Sequence, residues 1–206
     1  MSFAYPFACI VVDLDETLID KEYAVFDGAI DFLSSLFSLT PYVCLWSAGN
    51  DVHINKFFKD PEVPSHVKTS FFSIFSGEAN GTKDAELVQK IIKKKRPSSK
   101  VNEFILIDDK IYKYKDNNYT LLIDVNVYTK TTTGRGVKFV QYSKILKRIT
   151  QYLNKKIIGC GVRKRSKKRL HSDVETTDDD DDDKDYEYKS SKKFRRRHLD
   201  SDYEDE

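Results

Sequence analysis

The chain has 206 residues, which is enough for one domain with a sizeable hydrophobic core. Residues 163–206 contain 13 Lys or Arg and 15 Asp or Glu, so this tail carries −2; the remaining 22 basic and 18 acidic residues give the body +4. The three cysteines form no C-x-x-C pair, which argues against a disulfide framework or structural zinc and favours a reducing compartment. The apolar run before Asp13 is too short for a signal peptide or a membrane span, so we expect a soluble intracellular protein without membrane contact.

Apolar residues recur along the body with strand and helix periods in alternation. The first half of the body is predicted to contain a strand Phe7–Val12, a helix near 28–38, a strand Tyr42–Trp46 and a helix near 51–59 with Asn50 as N-cap. An irregular segment 60–69 then leads to a short strand Ser70–Phe75 and a helix from Lys83 to about Lys95. The strands Phe104–Ile107 and Thr120–Val125 follow, and a last amphipathic helix runs through Val140, Ile145, Leu146, Ile149 and Leu153. The alternation predicts an α/β, Rossmann-like fold with a mostly parallel sheet and helices on both faces.

The predicted elements occupy residues 1–160, and residues 161–206 form a separate charged tail. We expect the tail to be disordered, because its apolar residues are too sparse to offset the entropy lost on ordering. The interval between Asp15 and Ser47 holds only one turn and one helix, and residues 48–82 are also few. The body therefore has no room for a large cap domain.

Polar side chains stand at the ends of the predicted strands, and one stands at a helix start. They are Asp13 and Asp15 after the first strand, Ser47 after the second, Lys83 at the start of the helix before Phe104–Ile107, and Asp108 and Asp109 after that strand. Parallel sheets collect such residues at one edge, where carboxylates can bind Mg²⁺ and a lysine and a hydroxyl can hold phosphate oxygens. The inventory suits phosphoryl transfer, although an acidic loop after a strand is the plain alternative for the first motif alone.

Asp13-x-Asp15-x-Thr17, Ser47, Lys83 and Asp108-Asp109 resemble the four ordered motifs of the haloacid dehalogenase superfamily of aspartate-nucleophile phosphatases. The first motif, D-L-D-E-T-L, is closest to the branch that acts on the RNA polymerase II C-terminal domain. A compact phosphatase of this kind also resembles the viral phosphatase family that contains the baculovirus and nudivirus nucleocapsid-assembly protein. The resemblance implies that residues 1–160 form a haloacid dehalogenase-like phosphatase domain without a cap, an open arrangement that in this superfamily goes with macromolecular substrates.

The resemblance also implies a role for each residue. Asp13 would be the nucleophile, and Asp15 would be the general acid and base. The phosphoryl group would be bound or steadied by Thr17, Ser47 and Lys83. Mg²⁺ would be held by Asp13, Asp15 (through its carbonyl), Asp108 and Asp109. Which of the last two ligates the metal directly stays open.

Two departures from the branch stand in the second motif, where Ser47 replaces a threonine and Gly49 replaces a usual serine. Lys83 has competitors for the phosphate-binding role, but it begins a helix and precedes an aspartate, as the family commonly has. The competitors are Lys93, Lys94, Lys95 and Lys100. The four histidines, His53, His66, His171 and His198, are scattered, and we assign none of them a role.

The tail carries two basic segments, Arg163–Arg169 and Lys192–Arg197, around the acidic run Asp178–Asp183. Such basic segments favour nuclear import or contact with nucleic acid, and the acidic run could bind a basic protein. We therefore expect a Mg²⁺-dependent phosphatase that acts on a nuclear phosphoprotein. The viral resemblance implies that this substrate is a basic nucleoprotein of nucleocapsid assembly in a host nucleus. The alternatives are a phosphatase-like scaffold in a nucleoprotein assembly and a phosphatase of nucleic-acid ends.

Overall fold

The computed structural model describes residues 3–77, 83–131 and 138–162. The strands are β1 Ala8–Val12, β2 Val43–Ser47, β3 Ser73–Ser76, β4 Glu103–Asp108, β5 Leu121–Asp124, β6 Thr129–Thr131 and β7 Lys138–Val140. The α-helices are α1 Ala29–Leu39, α2 Asp51–Phe58, α3 Ser65–Ser70, α4 Ala85–Lys95 and α5 Tyr142–Val162, and short 3-10 helices span Ile111–Tyr114 and Val125–Tyr128.

Five strands form one parallel sheet in the order β3-β2-β1-β4-β5. The central strand β1 is completely buried, and its last residue, Val12, pairs with Leu45 of β2 and Ile107 of β4. The backbone N–H of Asp13 extends this pairing by donating to the Ile107 carbonyl at 2.9 Å. Asp13 therefore emerges between the carboxyl ends of two neighbouring strands.

Successive side chains of β1 point to opposite faces of the sheet, and each face packs against helices. Ile10 and Val12 belong to a core cluster that includes residues of α1, α2, α3 and α5, whereas Cys9 and Val11 pack with residues of α4. The predicted Rossmann-like parallel sheet with helices on both faces is confirmed. Among the described residues, none of the connections contains a cap domain.

The structure corrects several details of the sequence prediction. Helix α3 covers residues 65–69 of the segment predicted as irregular, and it also takes Ser70 from the predicted strand Ser70–Phe75, which forms instead as β3 from Ser73. The hairpin of β6 and β7 was not predicted. Helix α4 begins after Asp84, which caps it by accepting from the Glu86 N–H at 2.9 Å, and α5 continues past the predicted boundary at residue 160. The predicted disorder of the tail lies outside the described residues, as do both basic segments and the acidic run.

The last helix is tied to the turn behind β1 by a buried hydrogen bond. The Tyr142 hydroxyl donates to the Thr17 carbonyl at 2.7 Å, and the Tyr142 ring stacks on Phe32 of α1.

No helix among the described residues combines the length and the apolar character that crossing a membrane would require.

Replacing Tyr142 by phenylalanine removes this hydroxyl and leaves a buried carbonyl without its donor. The free energy of unfolding of Tyr142→Phe should fall by about 1–2 kcal/mol, the usual cost of such a loss. Urea unfolding measures the change, with Tyr112→Phe as the control because Tyr112 is 64% exposed. Equal stabilities of the two variants would contradict the assignment.

Candidate functional site

The turn that follows β1 folds back on itself around two buried leucines. The Leu14 carbonyl accepts from the Leu18 N–H at 2.8 Å, and both side chains are fully buried. Glu16 adopts a left-handed φ of 57°, a conformation that reverses the chain direction within the turn. The turn thereby fixes the directions in which Asp13 and Asp15 leave the strand end.

Lys83 lies between two carboxylates from neighbouring strands. Its Nζ pairs with Asp13 Oδ1 and donates to Asp108 Oδ2 at 2.6 Å, and the three residues are 4%, 5% and 2% exposed. The Asn117 amide donates to the Lys83 carbonyl at 2.6 Å, which fixes the backbone from which the side chain extends. The predicted nucleophile and the predicted phosphate-binding lysine are thus in direct contact.

The burial of this cluster changes its proton affinities. Burial raises the pKa of Asp13 to about 7; Lys83 opposes the shift and the like charge of Asp108 adds to it. Burial disfavours the charged form of Lys83, but the carboxylates of Asp13 and Asp108 together outweigh it and raise the lysine pKa. Lys83 therefore keeps its charge, whereas Asp13 changes charge near neutral pH.

Asp109 completes an acidic cluster with Asp13 and Asp108. Each of the three offers a carboxylate oxygen, and these oxygens all lie within 4.8 Å of one another. Lys83 is the buried cation beside them, and Lys110, which pairs with Asp109 Oδ2 at 3.2 Å, is 47% exposed in its side chain. Three carboxylates against one buried ammonium leave excess negative charge, and carboxylate oxygens are the donors that hard cations prefer. The cluster could therefore hold a metal ion.

Asp15 lies in a different environment from Asp13, two residues away. Its Oδ2 accepts from the Ser47 hydroxyl at 3.1 Å, and its Oδ1 lies 2.7 Å from His53 Nε2. The other ring nitrogen of His53, Nδ1, lies 3.0 Å from the Tyr23 hydroxyl. The Asp15 side chain is 36% exposed, so it belongs to the rim of the site and lies outside the buried acidic cluster.

An open cavity of about 370 Å³ lies over the acidic cluster and over Asp15. It is lined by Asp13, Asp15, Trp46, Ala48, Gly77, Lys83, Asp108, Asp109, Lys110, Lys113 and Tyr114. Ser47 and Thr17 are fully buried just behind this lining, where Thr17 Oγ1 lies 3.5 Å from Asp13 Oδ2.

Of the competing lysines, Lys93 donates to the Ser99 carbonyl and Lys95 to the Phe72 carbonyl, and neither lines the cavity. Lys94 and Lys100 are exposed and do not line it either. The structure thus brings together every residue predicted for the site, and Lys83 lines the cavity whereas its four competitors do not.

Residues 2–134 match the family described as Protein of unknown function (DUF705), and the match covers more than half of the chain. The chain belongs to this family. Curated proteins and solved structures give no significant match. Every side chain that lines the cavity of this DUF705 chain lies inside the matched segment, whereas α5 lies beyond it.

The sequence prediction missed several residues at the site of this DUF705 chain, among them Lys110 and Lys113 in the cavity lining and His53 beside Asp15. We assigned His53 no role, yet its ring contacts Asp15. The sequence feature that could have indicated His53 is Asn50, the predicted N-cap of α2. Asn50 caps this helix by accepting a hydrogen bond from the His53 N–H at 3.0 Å. A helix that begins directly after the end of β2 places its first turn beside the other strand ends, so a titratable residue there is a candidate.

A divalent cation should stabilise this chain in a pH-dependent way, because protons compete with the cation for Asp13. With MgCl₂ as the probe, the rise in melting temperature should be larger at about pH 8 than at about pH 5.5, on either side of the raised Asp13 pKa. Asp108→Asn should abolish the rise, whereas the exposed Asp116→Asn should retain it. A rise that is independent of pH, or one that Asp108→Asn retains, would contradict the assigned cluster.

Proposed function

We propose that this protein is a Mg²⁺-dependent phosphatase of the haloacid dehalogenase type that forms an aspartyl-phosphate on Asp13. The observation that carries the proposal is the contact of Lys83 with both Asp13 and Asp108 in the lining of an open cavity that Asp15 also lines. This set supplies a nucleophile, a fixed cation, a metal-binding cluster and a second carboxyl group. The ordered motifs of the sequence support the same reading.

Asp13 is suited to nucleophilic attack because its environment fixes its carboxylate. Lys83 holds Oδ1, and Oδ2 lies near the Thr17 hydroxyl. A carboxylate oxygen forms a bond to the phosphorus of a phosphate monoester, and the bond from phosphorus to the leaving oxygen breaks. Water then attacks the phosphorus of the aspartyl-phosphate, which releases inorganic phosphate and restores Asp13.

Asp15 is suited to proton transfer because it is less buried than Asp13 and faces the same cavity. Protonated Asp15 gives its proton to the leaving oxygen in the first step, and the resulting carboxylate takes a proton from the attacking water in the second. In this mechanism the buried carboxyl group of Asp13 is the nucleophile, and the more accessible carboxyl group of Asp15 transfers the protons.

Lys83 and a metal ion held by the acidic cluster would balance the negative charge of the transferred phosphoryl group. Mg²⁺ held by Asp13, Asp108 and Asp109 would add positive charge beside the phosphoryl oxygens. Lys83 remains charged in its buried position and donates to the same oxygens once they displace Asp108 from it. The Asp15 carbonyl is a further ligand by resemblance.

The substrate we propose is a phosphoprotein, because the cavity is open and no described segment covers it. Lys110 and Lys113 line its mouth and would attract an anionic substrate. We propose nuclear localisation and contact with a basic protein or nucleic acid through the charged tail, on sequence grounds. The viral resemblance narrows the substrate to a basic nucleoprotein of nucleocapsid assembly.

Asp13→Asn should lower turnover of p-nitrophenyl phosphate in MgCl₂ by about 10³-fold or more, as loss of a nucleophile does in covalent catalysis. Released p-nitrophenol measures the rate, and Asp116→Asn is the matched control because it changes an exposed aspartate outside the site. A metal chelator should abolish the wild-type rate.

Hydrolysis by Asp13→Asn at the wild-type rate would overturn the mechanism. A wild-type chain that binds MgCl₂ but hydrolyses neither aryl phosphates, phosphopeptides nor phosphorylated oligonucleotide ends would favour the scaffold alternative. Preference for the oligonucleotide ends would favour the nucleic-acid alternative.

Ending the chain after Val162 should separate catalysis from localisation, because α5 ends there and the basic segments follow. The shortened chain should hydrolyse p-nitrophenyl phosphate at the wild-type rate but lose nuclear accumulation as a fluorescent fusion. Nuclear accumulation equal to that of the full chain would contradict the role of the tail.

A further inference from the structure

We propose that His53 is a positioning residue, which holds the Asp15 carboxyl group in the orientation that proton transfer to the leaving oxygen requires. The inference rests on the proposed function and assigns a residue outside the four motifs. It is carried by the contact between His53 Nε2 and Asp15 Oδ1 at 2.7 Å, a charge-assisted distance.

The two oxygens of Asp15 are held from different elements. Ser47, the last residue of β2, donates to Oδ2, and His53, in the first turn of α2, contacts Oδ1. Partners on both oxygens fix the rotation of the carboxyl plane, which a single partner leaves free. The exposed third of the side chain then faces the cavity in one orientation.

Ser47 alone cannot maintain this orientation during catalysis. Its oxygen accepts from the Gly49 N–H at 2.9 Å, and its single proton is directed at Asp15. A serine hydroxyl has one proton to donate, so donation to a phosphoryl oxygen takes it away from Asp15. His53 is then the partner that keeps Asp15 in place.

His53 is itself held by a second ring. The Tyr23 hydroxyl can donate to Nδ1 while the Nε2 proton is donated to Asp15, so every donor in the chain of contacts meets an acceptor. The Lys56 ammonium lies 3.4 Å from the Tyr23 ring centroid, and the Tyr23 and His53 rings meet edge to face. These contacts orient the imidazole ring before any substrate binds.

Gly49 supplies the space in which the imidazole ring lies. A Cβ atom added at Gly49 would lie 2.6 Å from His53 Cγ, closer than such atoms approach, and 3.0 Å from His53 Cβ, a tight contact. A larger residue at position 49 therefore requires a shift at this contact, and we expect a shift of the ring to disturb its contact with Asp15. Gly49, which replaces the usual serine of the second motif, therefore leaves the space that the His53 ring occupies.

The proposal predicts a loss that depends on the leaving group. Phenyl phosphate and p-nitrophenyl phosphate have nearly the same shape, but the phenol leaves poorly without a proton and the nitrophenol leaves well. If His53 acts through the acid role of Asp15, its loss must slow phenyl phosphate more. A general structural disturbance would slow both esters alike.

The experiment compares kcat/KM for the two esters in MgCl₂, because this ratio reports transfer of the phosphoryl group to Asp13. His53→Leu should lower kcat/KM about 10-fold to 100-fold for phenyl phosphate and less than about threefold for p-nitrophenyl phosphate. His53→Gln, whose amide can donate to Asp15, should recover most of the loss. His66→Leu, at an exposed histidine of α3, is the control and should match the wild type.

Gly49→Ala tests the same contact with the histidine retained, and it should reproduce the selectivity of His53→Leu. Thermal unfolding identifies any variant that fails to fold, and if His53→Leu fails, Gly49→Ala and His53→Gln still decide the question. Equal losses on both esters, or no recovery in His53→Gln, would overturn this inference and leave the proposed function standing. A wild-type chain that hydrolyses neither these esters, nor phosphopeptides, nor phosphorylated oligonucleotide ends would overturn both.

Discussion

The rest of the site depends on the ion pairs that Lys83 makes with Asp13 and Asp108. Like charges that leave adjacent strands of a parallel sheet repel one another in a buried setting unless a cation lies between them. Lys83 supplies that cation from the segment before α4, and Asn117 holds its backbone. Asp109 adds a third carboxylate, which pairs with the more exposed Lys110, and the three carboxylates together could hold a metal ion.

The two carboxyl groups of the first motif differ in burial because they hold different places at the end of β1. Asp13 follows the strand directly and is buried, whereas Asp15 lies within the turn from Leu14 to Leu18 and is 36% exposed in its side chain. One is surrounded by charge and the other by a hydroxyl and an imidazole. The same residue type thereby acquires two environments two positions apart, which is how neighbouring carboxyl groups come to perform different steps.

The parts of the fold that the sequence predicts are those in which burial dominates. β1, β2 and β4 are apolar runs buried on both faces, and the polar residue that ends each run enters the site because parallel strands end together. Helix α3 was missed because it is six residues long with Val67 as its buried residue, too short for a period to appear. The hairpin of β6 and β7 was missed because its strands are short and mostly exposed. His53 could not be found from spacing, since its role depends on where α2 lies against the turn after β1.

The central position of β1 has a consequence for the order in which the protein acquires its structure. Among the described elements β1 comes before its partner β4 by some ninety residues, and Tyr142, which secures the turn behind β1, comes later still. Contacts so distant along the chain require the closure of long loops before they contribute stability. Asp13, Lys83 and Asp108 therefore meet only after β4 has been synthesised and paired with β1. A nascent chain that ends before β4 does not present the assembled cluster, so the site forms only once β4 has joined the sheet.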